Sequence, residues 1–353
     1  MGAEVITVEV GGTRYTAWKK AEIRASAKEA ARSFTLLIAA EAGPTATAWI
    51  FAAGKAVKIY ANGDLLVTGY VDRYHPSLQA NRAEITISGR SKSGDLVDSS
   101  ADHKKGKFKK KKPSEIANTL AKPHDVKVEG HDDEEAIDHN VSPGKSVFRE
   151  IELLVRQQGF TLMGTADGGV KVQNAKGAKK HAGGLVEGRN ILEGSADHNW
   201  SNRHSSYTVV GQRGTGHGID SLEIEQVVKD AGVTRNRPIV IVQQNDTTKD
   251  RAKKTAKNRR DKSAGESLKA TIKTQGFRDE AGKIWTAGQL VWTESPFLQV
   301  TQDMYIESVD FLQDENGSIT TLSLCDPRAH GGKGGKGSKS SENWKQSGDE
   351  DDT

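Results

Sequence analysis

The chain has 353 residues with one cysteine, 37 glycines and 35% hydrophobic residues, and its 51 Lys and Arg nearly balance its 47 Asp and Glu. This length suits two or three domains, and the composition is that of a globular protein, so wholesale disorder is excluded. Cys325 has no partner for a disulfide, and no run approaches the ~18 consecutive apolar residues of a membrane-spanning helix. Residues 1–10 (MGAEVITVEV) lack the pattern of a signal peptide, so we expect a soluble, unexported protein.

The net charge of +4 is the sum of opposing clusters. Residues 103–112 (HKKGKFKKKK) contain lysines and no acid, and residues 246–262 are also strongly basic. Residues 131–138 (HDDEEAID) and 348–352 (GDEDD) are acidic. Such a distribution indicates either charge-matched surfaces or solvated loops, and the sequence leaves both open.

The first hundred residues predict β-structure. Alternating or continuous apolar runs occur at residues 4–10, 33–38, 55–61, 64–68 and 82–88. Asn62-Gly63 separates two of these runs, and this dipeptide accepts the positive φ angles of a type I′ hairpin turn. Short strands with turn residues between them favour a small barrel or sandwich over residues 1–100.

Residues 101–184 predict an α+β region. Pro113 suits the first position of a helix, and three apolar residues then share one face: Ile116, Ala117 and Leu120. A second helix is predicted over residues 146–158, with Gly159 after its end. Its apolar stripe contains Val147, Phe148, Ile151, Leu154 and Val155. A hairpin with strands at residues 160–163 and 170–172 follows.

Residues 185–330 predict β-structure again, with one helix. Strands are predicted at residues 206–211, 239–242, 268–274, 289–292, 304–312 and 318–324. The helix spans residues 247–263, and its apolar stripe is only Ala252 and Ala256, so charged side chains cover most of its circumference. Residues 331–353 form a flexible Gly/Ser/Lys and acidic tail that cannot build a core.

No catalytic or metal-binding motif emerges from the sequence. His131 and His139 bracket acidic residues without the cysteines or His-x3-His pair of a metal site, so a solvated loop is favoured. The GTGHG run at residues 214–218 lacks the Lys-Ser/Thr of a phosphate loop. Cys325 lies in a strand-like LSLC run and is more typical of a buried apolar residue than of a nucleophile. Several carboxylates have no fixed separation that would indicate a glycosidase: Asp72, Asp95, Asp98 and Asp102. We therefore predict no enzyme, no metal and no cofactor.

The two basic segments are the candidate partner contacts. Their residues are Lys104, Lys105, Lys107, Lys109, Lys110, Lys111, Lys112, Lys253, Lys257 and Arg260. A flexible surface loop is the favoured interpretation of the lysine run, a protein interface comes next and nucleic-acid binding is third. Lysines would contact phosphates but read little sequence, so such binding would be weak and salt-sensitive.

Four stretches, taken in order, carry a family resemblance. Residues 67–100 contain the pattern G-x-V-D … I-x-G-R-S-x-x-x-D-L-V-D-S, and residues 143–172 a helix followed by a hairpin. Residues 185–212 contain G-x-N-I-L … S-x-R-x-S-x-Y, and residues 282–327 a closing set of strands. In these stretches the chain resembles the baseplate hub proteins of contractile-tailed phages, most closely the Mu-like tail protein P. More distantly it is similar to late control protein D, the T4-type hub and the N-terminal part of VgrG. Residues 214–237, the lysine run and the tail fit none of these patterns.

This resemblance implies a mainly β fold with two similar small antiparallel β-barrels and an inserted α/β region. Three chains would form a homotrimeric ring that joins the tail tube protein to the central spike protein and adapts sixfold to threefold symmetry around the DNA passage. The expected partners also include other baseplate proteins, without membrane anchoring. The expected location is the virion tail, assembled in the bacterial host cytoplasm.

Two alternative functions are a tail-associated peptidoglycan hydrolase and a basic nucleic-acid-binding tail protein. Hydrolase modules are separate domains, and no remaining segment is long enough for one. A channel that grips DNA would slow ejection, so we favour lysine clusters that face acidic surfaces of neighbouring proteins.

Overall fold

The computed structural model describes residues 4–39, 50–80, 82–101, 106–130, 135–157, 160–212, 223–243 and 247–334. The structure is 48% strand and 17% helix, which confirms the prediction of a mainly β fold. Within these described ranges, no helix combines the length and the apolar character needed to cross a membrane.

The chain forms 21 strands and four α-helices in the described ranges. Strands β1 to β7 are Ile6–Val10, Thr13–Tyr15, Lys20–Ser26, Ser33–Ala39, Ala56–Ala61, Asp64–Gln79 and Arg82–Ser91. Strands β8 to β14 are Lys107–Lys111, Val128–Glu129, Ile137–Asn140, Thr161–Gly164, Val170–Gln173, Leu185–Val186 and Glu193–His198. Strands β15 to β21 are Ser206–Gln212, Glu223–Lys229, Pro238–Gln243, Leu268–Gln275, Leu290–Ser295, Val300–Asp314 and Gly317–Cys325. The helices are α1 Gly94–Asp98, α2 Pro113–Ala121, α3 Val147–Gln157 and α4 Lys249–Glu266, with 3₁₀ turns at Lys122–His124 and Pro327–His330.

Local sequence signals place most of these elements correctly. Asn62 and Gly63 have φ angles of 46° and 92°, as a type I′ turn requires. Helix α2 begins at Pro113, and helix α3 matches its predicted range, although Gly159 lies outside the described residues. Strand β3 (KAEIRAS) was not predicted, because alanine and charged residues are weak strand formers.

One large sheet joins the two halves of the chain. Its strands follow the order β14-β18-β21-β20-β3-β4-β7-β6-β5-β1-β2, and β19 and β13 extend from β20. The link is the antiparallel pair β20–β3, in which Ser308 lies opposite Ser26 and Gln313 opposite Ala21. N-terminal and C-terminal residues therefore share one hydrogen-bonded framework.

The same strand order occurs twice in this sheet. Antiparallel neighbours run β3-β4-β7-β6-β5 in the first half and β14-β18-β21-β20-β19 in the second. Both long strands carry an irregularity at the matching place, between Val71 and Arg73 in β6 and between Ile306 and Ser308 in β20. Strands β15 to β17 and helix α4 form an insertion between β14 and β18.

Three apolar cores accompany this arrangement in the part of the chain that the structure describes. The largest lies under the large sheet, and the second packs α2 and α3 against β11 and β12. The third lies between α4 and the sheet β16-β15-β17, where Ala252 and Ala256 are fully buried against Tyr207 and Val209. The predicted alanine stripe of the basic helix is thus confirmed as its packing face.

A partly buried arginine fastens the α+β region to the first half. The Arg32 guanidinium donates to the carbonyl oxygens of Gly164 (3.0 Å) and Leu66 (2.8 Å). Burial lowers its pKa to about 10, so it stays protonated at neutral pH. Gly164 has no space for a side chain, because an added Cβ would lie 2.3 Å from the carbonyl oxygen of Ala30.

Candidate assembly surfaces

Part of the basic cluster and the end of the acidic cluster pair as strands, residues 107–111 with residues 137–140. Strand β8 lies antiparallel to β10, with Lys111 opposite Ile137 and Lys107 opposite Asn140. The backbone N–H of Lys110 donates to the Asp138 carboxylate at 2.7 Å. The interpretation of these segments as flexible or solvated loops is therefore wrong for residues 107–111 and 137–140, because their backbones satisfy each other in a ladder.

The predicted lysine contacts of this segment lie on an exposed surface. Phe108 alone turns towards the second core, while the neighbouring lysine side chains face solvent: Lys107, Lys109, Lys110, Lys111 and Lys112. Lys111 forms an ion pair of 3.1 Å with Glu115 at the start of α2. Lys104 and Lys105 lie outside the described residues.

The second basic segment lies on α4. The Thr248 side chain caps this helix by accepting from the backbone N–H of Arg251 (3.3 Å). Lys253 and Lys257 are exposed, whereas Arg260 is half-buried and donates to Asp261 at 2.9 Å. Because α4 packs on the third core and β8 borders the second, the two predicted sets belong to different packing units.

Two of the four carboxylates considered for a glycosidase, Asp72 and Asp98, are engaged in an ion-pair cluster. Arg90 lies between Asp72 and Asp98, with distances of 2.7 Å from Nε and 2.6 Å from a terminal nitrogen. These hydrogen bonds raise the pKa of Arg90, so the guanidinium stays charged. Asp102 lies outside the described residues. The arrangement fastens β6 to α1.

Two buried polar pairs, which sequence reasoning missed, fix the segment before β13. Lys180 and Asp303 are both buried, with Nζ and Oδ1 2.6 Å apart, and burial raises the pKa of Asp303. The backbone N–H of Thr286 donates to His181 Nε2, so the proton resides on Nδ1, which donates to Asp279 at 2.9 Å. Although burial opposes ionisation, this bond and backbone N–H donors keep the pKa of Asp279 below its ordinary value.

Glu307, Cys325 and His330 bring possible metal ligand atoms within 4.8 Å of one another in the described structure. These side chains are already engaged in contacts with other groups of the chain. Glu307 bonds His330 Nε2 at 2.9 Å and also pairs with the Lys28 ammonium, and despite burial these contacts lower its pKa to about 2. Burial raises the pKa of Cys325 well above its usual value, so it stays a thiol. The prediction that Cys325 is a buried side chain is confirmed.

Large apolar side chains are exposed at several strand edges. Leu78 at the end of β6 is 86% exposed and Leu192 before β14 is 59% exposed. Phe297 is 85% exposed in the β19–β20 turn, and Val240 and Val242 on β17 are 62% and 71% exposed. These side chains are candidate protein contacts wherever they form a contiguous apolar patch. Alternation in sequence reveals an apolar face but not whether another element covers it, so these residues were not predicted.

Family models of phage baseplate proteins match the chain in consecutive order. The N-terminal model of the Mu phage baseplate assembly protein GpP-like family matches residues 5–91. The second-domain model of the baseplate hub protein gp44-like family matches residues 93–174. The fourth-domain model of Mu phage baseplate assembly protein GpP matches residues 247–332.

Whole-chain comparisons agree with these matches. Baseplate hub protein gp44 of Escherichia phage Mu is 26% identical over 340 residues, which cover 91% of this chain and 88% of that protein. The solved 43 kDa tail protein of prophage MuSo2 from Shewanella oneidensis is 27% identical, with a TM-score of 0.81 over 93% of this chain and 99% of its own. The E. coli c3393 protein, a type VI secretion component similar to T4 gp27 and gp5, shares only the fold. Its identity is 8% and its TM-score 0.54, over 90% of this chain and 76% of its own.

These relatives confirm the resemblance carried by the four sequence stretches, and they support neither of the two alternative functions. Over most of its length the chain therefore carries domains that match those of Mu-type phage baseplate hub proteins, and its role is that of a structural hub component of a phage tail.

Proposed function

We propose that three copies of this chain form a ring that joins the tail tube to the central spike and surrounds the DNA passage. The observation that carries this proposal is the twofold occurrence of one strand order within a single sheet. Two equivalent units per chain give six in a trimer, so such a ring matches a sixfold tube on one face and a threefold spike on the other.

In this proposal each repeat closes into a small β-barrel. The first barrel occupies residues 1–100 and the second residues 185–330, with an α+β region at 101–184 between them. The predicted tail begins at residue 331, and its residues 335–353 lie outside the described structure. The bulges in β6 and β20 support closure, because bulges increase local twist and bend a strand around a barrel.

The exposed lysines of β8 and α4 contact acidic faces of neighbouring tail proteins. Two geometric observations support these lysine contacts. The β8–β10 ladder holds its lysines on a fixed strand, and the α4 alanine stripe turns Lys253 and Lys257 to solvent. Charge complementarity of this kind directs docking and its rate more than its strength. The hub works without a cofactor or a catalytic centre, and it assembles in the host cytoplasm.

The test is co-assembly with the tube and spike proteins of the same phage, followed by electron microscopy of the isolated tail tip. We expect three hub chains between a sixfold tube and a threefold spike. A hub present in another copy number, or bound away from the tube–spike junction, would refute the proposed function.

A further inference from the structure

The junction between the two halves of one chain is a continuous strand pair. From Ser308 onward, β20 leaves β19 and uses the same edge to pair with β3. The side chains on the core side of this junction are buried: Ile23 is 1% exposed and Phe311 3% exposed. On the opposite face Arg24 and Asp310 stand directly across from each other and form an ion pair of 2.8 Å.

The repeat gives each strand of this junction a counterpart. In the first repeat β6 corresponds to β20: their irregularities match, and Gln79 and Arg82 at the β6–β7 turn correspond to Asp314 and Gly317 at the β20–β21 turn. In the second repeat β14 corresponds to β3, because each is the outermost strand of its own repeat. Strand β14 pairs with β18, and β3 pairs with the equivalent strand β4.

Both counterparts have an open edge in the described structure. Strand β5 pairs with β6 only as far as Tyr70, so from Arg73 to Leu78 that edge of β6 has no partner among the strands that the structure describes. Among the described strands, β14 pairs with β18 alone. As a result, the residues on the open edges of β6 and β14 are exposed. Pro76, at the position of buried Phe311, is exposed, and five of the six β14 residues are exposed.

We propose that these two edges pair between copies: β6 of one chain adds antiparallel to β14 of the next chain. This inference rests on the trimeric ring proposed above and assigns its interface. Transfer of the β20–β3 register places Arg73 opposite Asn199 and Leu78 opposite Gly194 of the neighbouring copy. Each chain then offers one edge and receives one, which is the head-to-tail geometry of a closed ring.

The side chains fit this register on both faces of the sheet. Gly194 has no side chain, and its vacant Cβ position points at Leu298 (3.0 Å) and Ile191 (3.4 Å), which are only partly buried. Leu78 directly opposite would cover this apolar spot and lose its own exposure. On the other face His75 would stand across from Asp197, where the internal junction has Asp310 and Arg24.

Pro76 is the one position that weakens the proposed ladder, because it has no N–H to donate. A proline on an exposed edge also hinders pairing with unrelated strands. The edge is therefore guarded against aggregation while the remaining residues stay able to pair with β14.

Disulfide trapping tests the register. The double variant His75→Cys and Asp197→Cys places two thiols directly opposite each other across the interface, and Cβ atoms of opposed residues approach closely enough for a disulfide. The native Cys325 is fully buried and will not interfere. Under mild oxidation we expect a covalent trimer on non-reducing gels that collapses to monomer on reduction.

The matched control pairs His75→Cys with Ser195→Cys, two residues out of register, and should cross-link much less. The two single variants should give no covalent trimer. If light scattering shows a trimer but the in-register pair does not cross-link, the strand pairing is overturned and the trimer stands. If the wild-type chain is monomeric at every concentration and tails do not contain three copies, the ring itself is overturned.

A second measurement does not depend on disulfide geometry. Leu78→Asp places a charge on the Leu298–Ile191 spot and should weaken trimerisation at least tenfold by concentration-dependent light scattering. Val97→Asp on α1, another exposed apolar position, should leave it unchanged. Equal trimerisation of both variants and wild type contradicts the proposed interface.

Discussion

At the scale of single residues, buried charges couple distant parts of this chain. Lys180 and Asp303 are separated by more than a hundred residues, yet they lie in contact beneath Trp292, whose ring centroid is 5.7 Å from Nζ. A buried ion pair contributes little net stability compared with apolar residues, but removal of one partner leaves an uncompensated charge.

Lys180→Met should therefore destabilise the protein by about 3–5 kcal/mol, because Asp303 would remain buried without its counter-ion. Urea unfolding followed by fluorescence measures the loss. The double variant Lys180→Met with Asp303→Leu is the control, and it should recover most of the stability. Equal stability of the single variant and wild type would show that the pair is not buried as described.

The lowered pKa of Glu307 predicts that the stability of the protein depends on pH. Its folded-state pKa is about 2, below the ordinary value of 4.5. A lowered pKa means that the ionised form stabilises the folded state, so this contribution is complete above about pH 5 and is lost as the pH falls towards 2. The shift corresponds to roughly 3 kcal/mol. In Glu307→Gln, unfolding free energies measured across this range should fall less steeply with acid, while an exposed control, Glu266→Gln, should follow wild type.

At the scale of elements, the β8–β10 pair turns a run of like charges into an ordered surface. Like charges repel in a loop, but a ladder with β10 and contacts of Phe108 fix the backbone, so the lysines project from a defined strand. This order makes them suitable for docking against an acidic protein face.

We expect weaker binding to the tube and spike proteins, about tenfold at low salt, when glutamine replaces the four lysines Lys109, Lys110, Lys111 and Lys112. Each exposed ion pair contributes roughly 0.2–1 kcal/mol. The difference should shrink at high salt because screening removes it. Pull-down of purified partners measures this effect, with exposed Lys55 and Lys58 as control positions. Unchanged binding together with lost retention of DNA would favour nucleic-acid contact instead.

At the scale of the whole molecule, the β20–β3 junction makes one body of two repeats. Phe311→Ala empties a buried site there and should cost about 3–5 kcal/mol in unfolding experiments. Leu78→Ala at the exposed end of the equivalent strand should change the stability of the dilute protein by less than about 0.5 kcal/mol. If both substitutions cost the same, the two edges do not differ in burial as the structure shows.

Local physics in the sequence determined much of the fold. Asn62-Gly63 specified a hairpin because only such residues accept two positive φ angles, and Pro113 marked a helix start because proline fits there without loss. Alternation located most strands, and the alanine stripe located the buried face of α4. The ordered motifs between residues 67 and 327 also identified the family.

Only the tertiary structure decided how these elements meet. Strand β3 is weak in isolation and exists because β4 and β20 hold both of its edges. The lysine run became a strand through a partner some thirty residues away, as nothing in its own composition favours one. The buried pairs, and the contrast between a closed edge at β20 and an open one at β6, depend on contacts between residues far apart in the chain. Burial and pairing of that kind are set by three-dimensional neighbours, which local periodicity does not encode.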